Sequence, residues 1–268
     1  MDTLTPAQAT ELVSRIGAKK AQAKYVKVAV SSFLSGPLLG FGCSLLVATN
    51  ASPWYIENAP GLLRTIGGLV FPVGLTMIML TGSELFTSNV MYMTTALLHR
   101  RVSAGNLLIS WVISYFGNLL GMITFVALIA GYGGVFHEPV LRKTAISLAM
   151  KKAVYPAWHQ IFLKAIGANW LVCFAMFGSI MSREAISKMF ILWMPVTCFA
   201  ALGLDHVIAN MFYIPLGIWV GAPISVGYYI WKSMIPALLG NIVGGGLFVG
   251  TAYWYLYICG EEQDILLD

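Results

Sequence analysis

Gly82-Ser83-Glu84-Leu85-Phe86-Thr87-Ser88-Asn89 lies in the middle of a long apolar stretch. The surrounding sequence is 58% hydrophobic and 10% charged over 268 residues, against roughly 25% charged residues in soluble domains. That composition is that of a polytopic membrane protein. A membrane-spanning helix needs about 20 mainly apolar residues. The sequence predicts spans near 28–49, 62–98, 106–130, 161–181, 188–220 and 234–258. The second and fifth are too long for one simple crossing, and polar residues interrupt both. Strands of about 10 residues with alternating polarity are missing, which excludes a β-barrel.

A second stretch repeats the first. Gly203-Leu204-Asp205-His206-Val207-Ile208-Ala209-Asn210 again reads glycine, any residue, acid, four residues, asparagine, 121 residues further on. Gly117-Asn118-Leu119-Leu120-Gly121 likewise matches Gly240-Asn241-Ile242-Val243-Gly244, 123 residues on. The chain therefore reads as two halves of three spans each. Three is odd, so the halves lie inverted relative to one another, an arrangement recurrent in transporters with a site near the midplane. The fold class is all-α and integral to the membrane, with the second and fifth helices broken, as in aquaporins.

Irregular backbone at bilayer depth must be buried in protein or line a cavity. Gly82 and Gly203 permit the turns. Glu84 and Asp205 begin the half-helices that follow. They are expected to accept from free N–H groups there, with proton relay as the alternative. Asn89 and Asn210 are expected to satisfy other freed backbone groups. Glycines four apart, Gly36/Gly40, Gly117/Gly121, Gly240/Gly244 and Gly246/Gly250, let helices approach closely.

Of the four histidines, His206 alone falls at mid-membrane, which makes it the candidate pathway residue. Inverted symmetry brings Leu85 and Thr87 to meet it from the other half, with Thr87 placed to fix the imidazole tautomer. No metal-ligand spacing, nucleophile motif, phosphate-binding loop or nucleic-acid patch is present, so no enzyme activity, cofactor or metal is expected. Cys43, Cys173, Cys198 and Cys259 read as small hydrophobes. A water or neutral-solute channel is the rival reading. The asparagine-proline-alanine signature of aquaporins is missing, because Val90 follows Asn89 and Met211 follows Asn210.

The remaining regions complete a single transporter domain over 1–268. Residues 1–27 hold no apolar core for a signal peptide. Thr5-Pro6-Ala7-Gln8 reads as a helix start with a capping box. An amphipathic helix lying on the inner membrane surface follows, ending in Lys19 and Lys20. Residues 28–130 form the first repeat, 131–160 a basic outer loop, 161–258 the second repeat and 259–268 a C-terminal tail. Basic flanks place both termini in the cytoplasm of a plasma-membrane protein. The outer loop either steers anions or is merely solvated.

These stretches, TGSELFTSN (81–89), ANWLVC (168–173), GLDHVIANMF (203–212) and LLGNIVGGG (238–246), resemble the formate/nitrite transporter family, and within it the fungal-type nitrite transporters. The resemblance implies a homopentamer in lipid, each protomer passing small monovalent anions such as nitrite or formate. It implies His206 as the central histidine paired with Thr87, and Asn169 and Asn241 as pore asparagines. Two apolar slits fall on Phe71, Leu75 and Phe199 outside and on Leu85, Phe86 and Val172 inside. The outer lysine falls on Lys152, with Lys151 as the alternative because the spacing is one residue off. The expected function is proton-linked nitrite transport, with formate, another short monocarboxylate or hydrosulfide as the alternative.

Overall fold

The computed structural model describes residues 3–260 and 265; the rest of the expected C-terminal tail lies outside them. Helices occur in the order α1 (Pro6–Ala21), α2 (Tyr25–Asn50), α3 (Pro53–Asn58), α4 (Pro60–Val70), α5 (Val73–Thr81) and α6 (Phe86–Leu98). Then come α7 (Ala104–Tyr132), α8 (Pro139–Ala153), α9 (Trp158–Met181), α10 (Ala185–Leu202), α11 (Val207–Trp219) and α12 (Val226–Tyr257). Among the described residues six helical stretches are long and apolar enough to cross a membrane, α4 and α5 together making the second. Parts of α7 and α12 wind as π-helix.

The two breaks fall where the glycines predict. Gly82 ends α5 at φ 66° and Gly203 ends α10 at φ 71°, a left-handed conformation that L side chains resist. The half-helices α6 and α11 then restart four residues later, at Phe86 and Val207.

The halves are larger than three spans. The region 131–160, expected as a loop, carries α8, whose Ala145, Ala149, Lys152 and Ala153 are buried. It packs on α11 as α1 packs on α6. The sequences agree: Ala18-Lys19-Lys20-Ala21 ends α1 and Met150-Lys151-Lys152-Ala153 ends α8, 132 residues apart. Gly17 sits against Tyr92 and Ala96 of α6; at the same offsets Ala149 sits against Gly217 of α11. Each half is thus a short flanking helix followed by three spans, one of them broken.

Helix α1 begins at the expected capping box, with Gln8 N–H donating to Thr5 Oγ1 at 3.2 Å and Thr5 N–H to Gln8 Oε1 at 3.0 Å. Its inward face docks on protein. Ala9, Thr10, Val13, Ser14 and Gly17 are buried. Glu11, also buried, pairs with Arg15 and with Arg101 (2.7 Å) beyond the end of α6. A carboxylate so enclosed needs such partners, so α1 is tied to the bundle by charge as well as by packing.

The glycine spacings mark the tightest crossings. Gly36 and Gly121 meet where α2 crosses α7, and Gly240 and Gly244 abut α9 at Phe162 and Ile166. All four cysteines are free. Large apolar side chains such as Leu34, Phe41, Phe116 and Leu120 remain exposed around the bundle, suited to lipid. A Cβ at Gly121 would collide with the Phe33 carbonyl and reach Pro37 Cδ at 3.0 Å, whereas one at Gly61 would meet nothing. Gly121→Ala should therefore destabilise by about 1–3 kcal/mol, read as a lowered melting temperature in detergent, while Gly61→Ala should leave it unchanged.

Candidate functional site

The two half-helices meet end to end. Thr87, second residue of α6, places Oγ1 2.9 Å from Nε2 of His206, the residue that caps α11. Both are buried, at 0% and 2% exposure. On its other edge His206 Nδ1 accepts from Ala209 N–H at 3.1 Å. An imidazole nitrogen that accepts from a backbone N–H carries no hydrogen of its own. The neutral ring is then the Nε2–H tautomer, donating toward Thr87. Thr87 does meet the ring, but the tautomer is fixed by the helix N-terminus that His206 caps.

The other freed groups are satisfied from a distance. Asn118 Oδ1 accepts from Phe86 N–H (2.9 Å), and its Nδ2 donates to the carbonyls of Glu84 and Ser32, both at 2.8 Å. Asn241 repeats the pattern with Val207 N–H (2.8 Å) and the carbonyls of Asp205 (3.1 Å) and Ala165 (2.7 Å). The acids therefore do not take the freed N–H groups as expected; Asn118 of α7 and Asn241 of α12 take the first N–H of each half-helix. Asn89 and Asn210 do not serve backbone groups either. They donate to the acids, Asn89 to Glu84 at 2.8 Å and Asn210 to Asp205 at 3.2 Å.

Each acid is neutralised by a lysine from its flanking helix. Lys152 Nζ lies 3.1 Å from Asp205 and donates to the carbonyls of Gly203 (2.9 Å) and Leu204 (2.7 Å). These are carbonyls that the left-handed turn frees at the end of α10, where a cation is also favoured by the helix dipole. Lys152 is 8% exposed, while Lys151 faces solvent; of the pair it is Lys152 that meets the helix break. Lys20, from α1, lies 2.6 Å from Glu84 and over the Tyr92 ring. Lys20 and Asn118 are the members of this network that the sequence reading did not assign to the site. The shared lysine pairs at 19–20 and 151–152, near the offset of the other repeats, are the signal that marks Lys20.

Apolar side chains pack around the Thr87–His206 contact. Phe71 and Phe199 pack edge to face at 5.3 Å, and Phe199 lies 6.0 Å from the His206 ring. Leu75, Leu85, Phe86 and Val172 are buried in the same core, with Phe86 turned against Tyr115 and Trp111. Asn169 donates to the Thr87 carbonyl (3.1 Å) and to the Asn241 carbonyl (2.7 Å), tying α6 and α12 together from α9. Cys173 Sγ also approaches the Thr87 carbonyl, at 3.3 Å. Among the described residues no group of histidine, cysteine and acid side chains stands ready to hold a metal.

The family model described as formate/nitrite transporter matches residues 7–255. A probable formate transporter of Methanothermobacter thermautotrophicus is 36% identical over 95% of this chain and 97% of its own. Among solved structures, an FNT family ion channel superposes with a TM-score of 0.84 at 26% identity, covering 92% of this chain and 98% of that one. A pentameric formate channel with formate bound superposes at 0.77 with 29% identity, covering 87% and 98%.

The lysine–acid contact gives a direct test. Lys152→Met leaves Asp205 buried without its cation, which should cost about 3–5 kcal/mol and lower the melting temperature in detergent. Lys151→Met should not. Adding Asp205→Asn to Lys152→Met should recover part of the loss.

Proposed function

The chain belongs to the formate/nitrite transporter family, a family of transporters and channels, and on that premise we propose that it passes formate, or a similarly small monocarboxylate, between Thr87 and His206. Nitrite, the first choice from sequence, becomes second. The relative and the ligand-bound structure described above are both named for formate, so the finer likeness to fungal-type nitrite transporters is unsupported beyond the family itself.

The observation that carries this reading is the meeting of two helix N-termini at the Thr87–His206 contact. Helix N-termini favour negative charge and point N–H groups at it. A site in which two such ends converge, with an imidazole N–H between them, suits a small anion better than a cation or water. The apolar walls oppose this, because a bare charge between Phe71, Phe199, Leu85 and Phe86 pays a large desolvation cost. Proton linkage follows from that conflict: the anion crosses the slits with a proton.

The hydrogen bonding of His206 bears on where that proton comes from. With Nδ1 committed to Ala209 N–H, the ring holds a single N–H and serves as a hydrogen-bond donor. The neutral ring therefore donates a hydrogen bond to the substrate and is not the source of the accompanying proton. Lys152 and its surroundings attract the anion on one side and Lys20 on the other. The protein works as a homopentamer, as the name of the formate-bound relative indicates for that protein, in the plasma membrane with both termini cytoplasmic.

Reconstitution into vesicles tests this. Formate uptake should exceed nitrite uptake and should rise as the outside is made acidic. His206→Phe should lower it at least about tenfold, the scale of one lost hydrogen bond to a charged partner. Equal uptake of both anions, unaffected by pH or by the mutation, would contradict the assignment. Osmotic swelling without anion uptake would favour a water channel.

A further inference from the structure

The two halves differ at their outer edges as well as at their centre. A cavity opens between the first turns of α2 and α7, beside the end of α1. Val28 and Ile109 form apolar walls, Tyr25 stands at its edge, and Lys20, Glu84 and Ser110 supply polar groups. Asn106 also lines it, but its side chain turns back on its own helix, where Oδ1 accepts from Ser103 N–H at 3.1 Å and from Ser103 Oγ at 2.7 Å. The repeat puts Tyr229 at the position of Asn106, 123 residues on, and Ala153 at that of Ala21, 132 residues on. Tyr229 is 3% exposed and packs with Ala149 and Ala153 of α8. The second half thus buries a ring against its flanking helix where the first half leaves an opening. Ser233, the counterpart of Ser110, is buried and donates to the Lys152 carbonyl at 3.1 Å; Ser110 lines the cavity instead.

The surroundings of the opening are basic and apolar. Lys19, Lys24 and Lys27 are exposed at this end of the bundle, as is Arg100 before α7. No acid occurs in the sequence between Glu11 and Glu57, or between Glu84 and Glu138. Glu84, the one carboxylate in the lining, is held by Lys20 at 2.6 Å and Asn89 at 2.8 Å. Val26 and Val30 of α2 and Leu108 and Val112 of α7 are exposed alongside.

We propose that this cavity binds an anionic phospholipid, in the leaflet on the side of α1. Basic pockets between spanning helices suit anionic headgroups. Lys24, which immediately precedes Tyr25, meets the phosphate at the mouth together with Lys27. Ser110 lies six residues past Ala104, about 9 Å along the helix, and donates to an ester carbonyl, which sits deeper than the phosphate. One acyl chain follows Ile109 and Val112 along α7. The missing ring at Asn106 is what admits the lipid here and not at the matching place in the second half.

The test is native mass spectrometry of the full-length protein in detergent, titrated with phosphatidylglycerol or phosphatidylcholine, for wild type, Lys24→Gln, Asn106→Tyr and Lys143→Gln. Wild type should hold phosphatidylglycerol at least about fivefold more tightly than phosphatidylcholine, the scale of one lysine beside an anionic headgroup. Lys24→Gln should weaken phosphatidylglycerol about fivefold and leave phosphatidylcholine as it was. Asn106→Tyr, which gives the first half the ring of the second, should remove the preference. Lys143→Gln, at an exposed position on α8, should change nothing. Equal binding of the two lipids by wild type overturns the site. So does an undiminished preference in Asn106→Tyr, or equal weakening by Lys24→Gln and Lys143→Gln, which diffuse surface charge would produce.

Discussion

A chain that breaks a helix inside a bilayer must find a partner for every backbone group it frees, because no water is there to supply one. That requirement organises this molecule. Asn118 and Asn241 each serve one N–H and two carbonyls, joining a break to the span beside it. Lys152 takes two more carbonyls at the end of α10. The acids that follow the turns then need cations, and the flanking helices α1 and α8 deliver them. The close helix crossings at Gly36, Gly121, Gly240 and Gly244 bring those long-range donors within reach.

The repeat supplies this framework twice, and the copies diverge at the Thr87–His206 contact. His206 stands where the first half has Leu85. Asn169, which ties α6 to α12, stands where register places Gly36, since the carbonyls accepting from Asn118 and Asn241 belong to Ser32 and Ala165. A perfectly symmetric protein would have two capped or two uncapped half-helices. This one has a capped end that presents an imidazole and an uncapped end that presents N–H groups. The contact between them is polar, narrow and held between aromatic walls, conditions under which a few hydrogen-bond donors discriminate strongly among small solutes.

Much of this was legible in the sequence. Composition and run length placed the spans, and the spaced glycine, acid and asparagine marked both breaks to the residue. Inversion of the halves was enough to bring Thr87 to His206. What the sequence hid were pairings across long separations. Glu84 and Asp205 resembled helix caps because caps are local, and nothing local shows that Asn118 and Asn241, more than 30 residues away, do that work. Helix α8 read as a loop because its mixed polar and apolar residues lack a span's hydropathy; its burial comes from alanines facing α11. Lys20 looked like an inner-surface charge until the docking of α1 placed it on Glu84.

If substrate crosses at the Thr87–His206 contact where the half-helices meet, it must be found there. The most direct measurement is an experimental structure of the protein equilibrated with formate, at a resolution that shows the ion. Formate should lie within hydrogen-bond distance of His206 Nε2 or of the first turn of α6. Formate bound only elsewhere, such as between protomers, with this contact intact and dry, would contradict it.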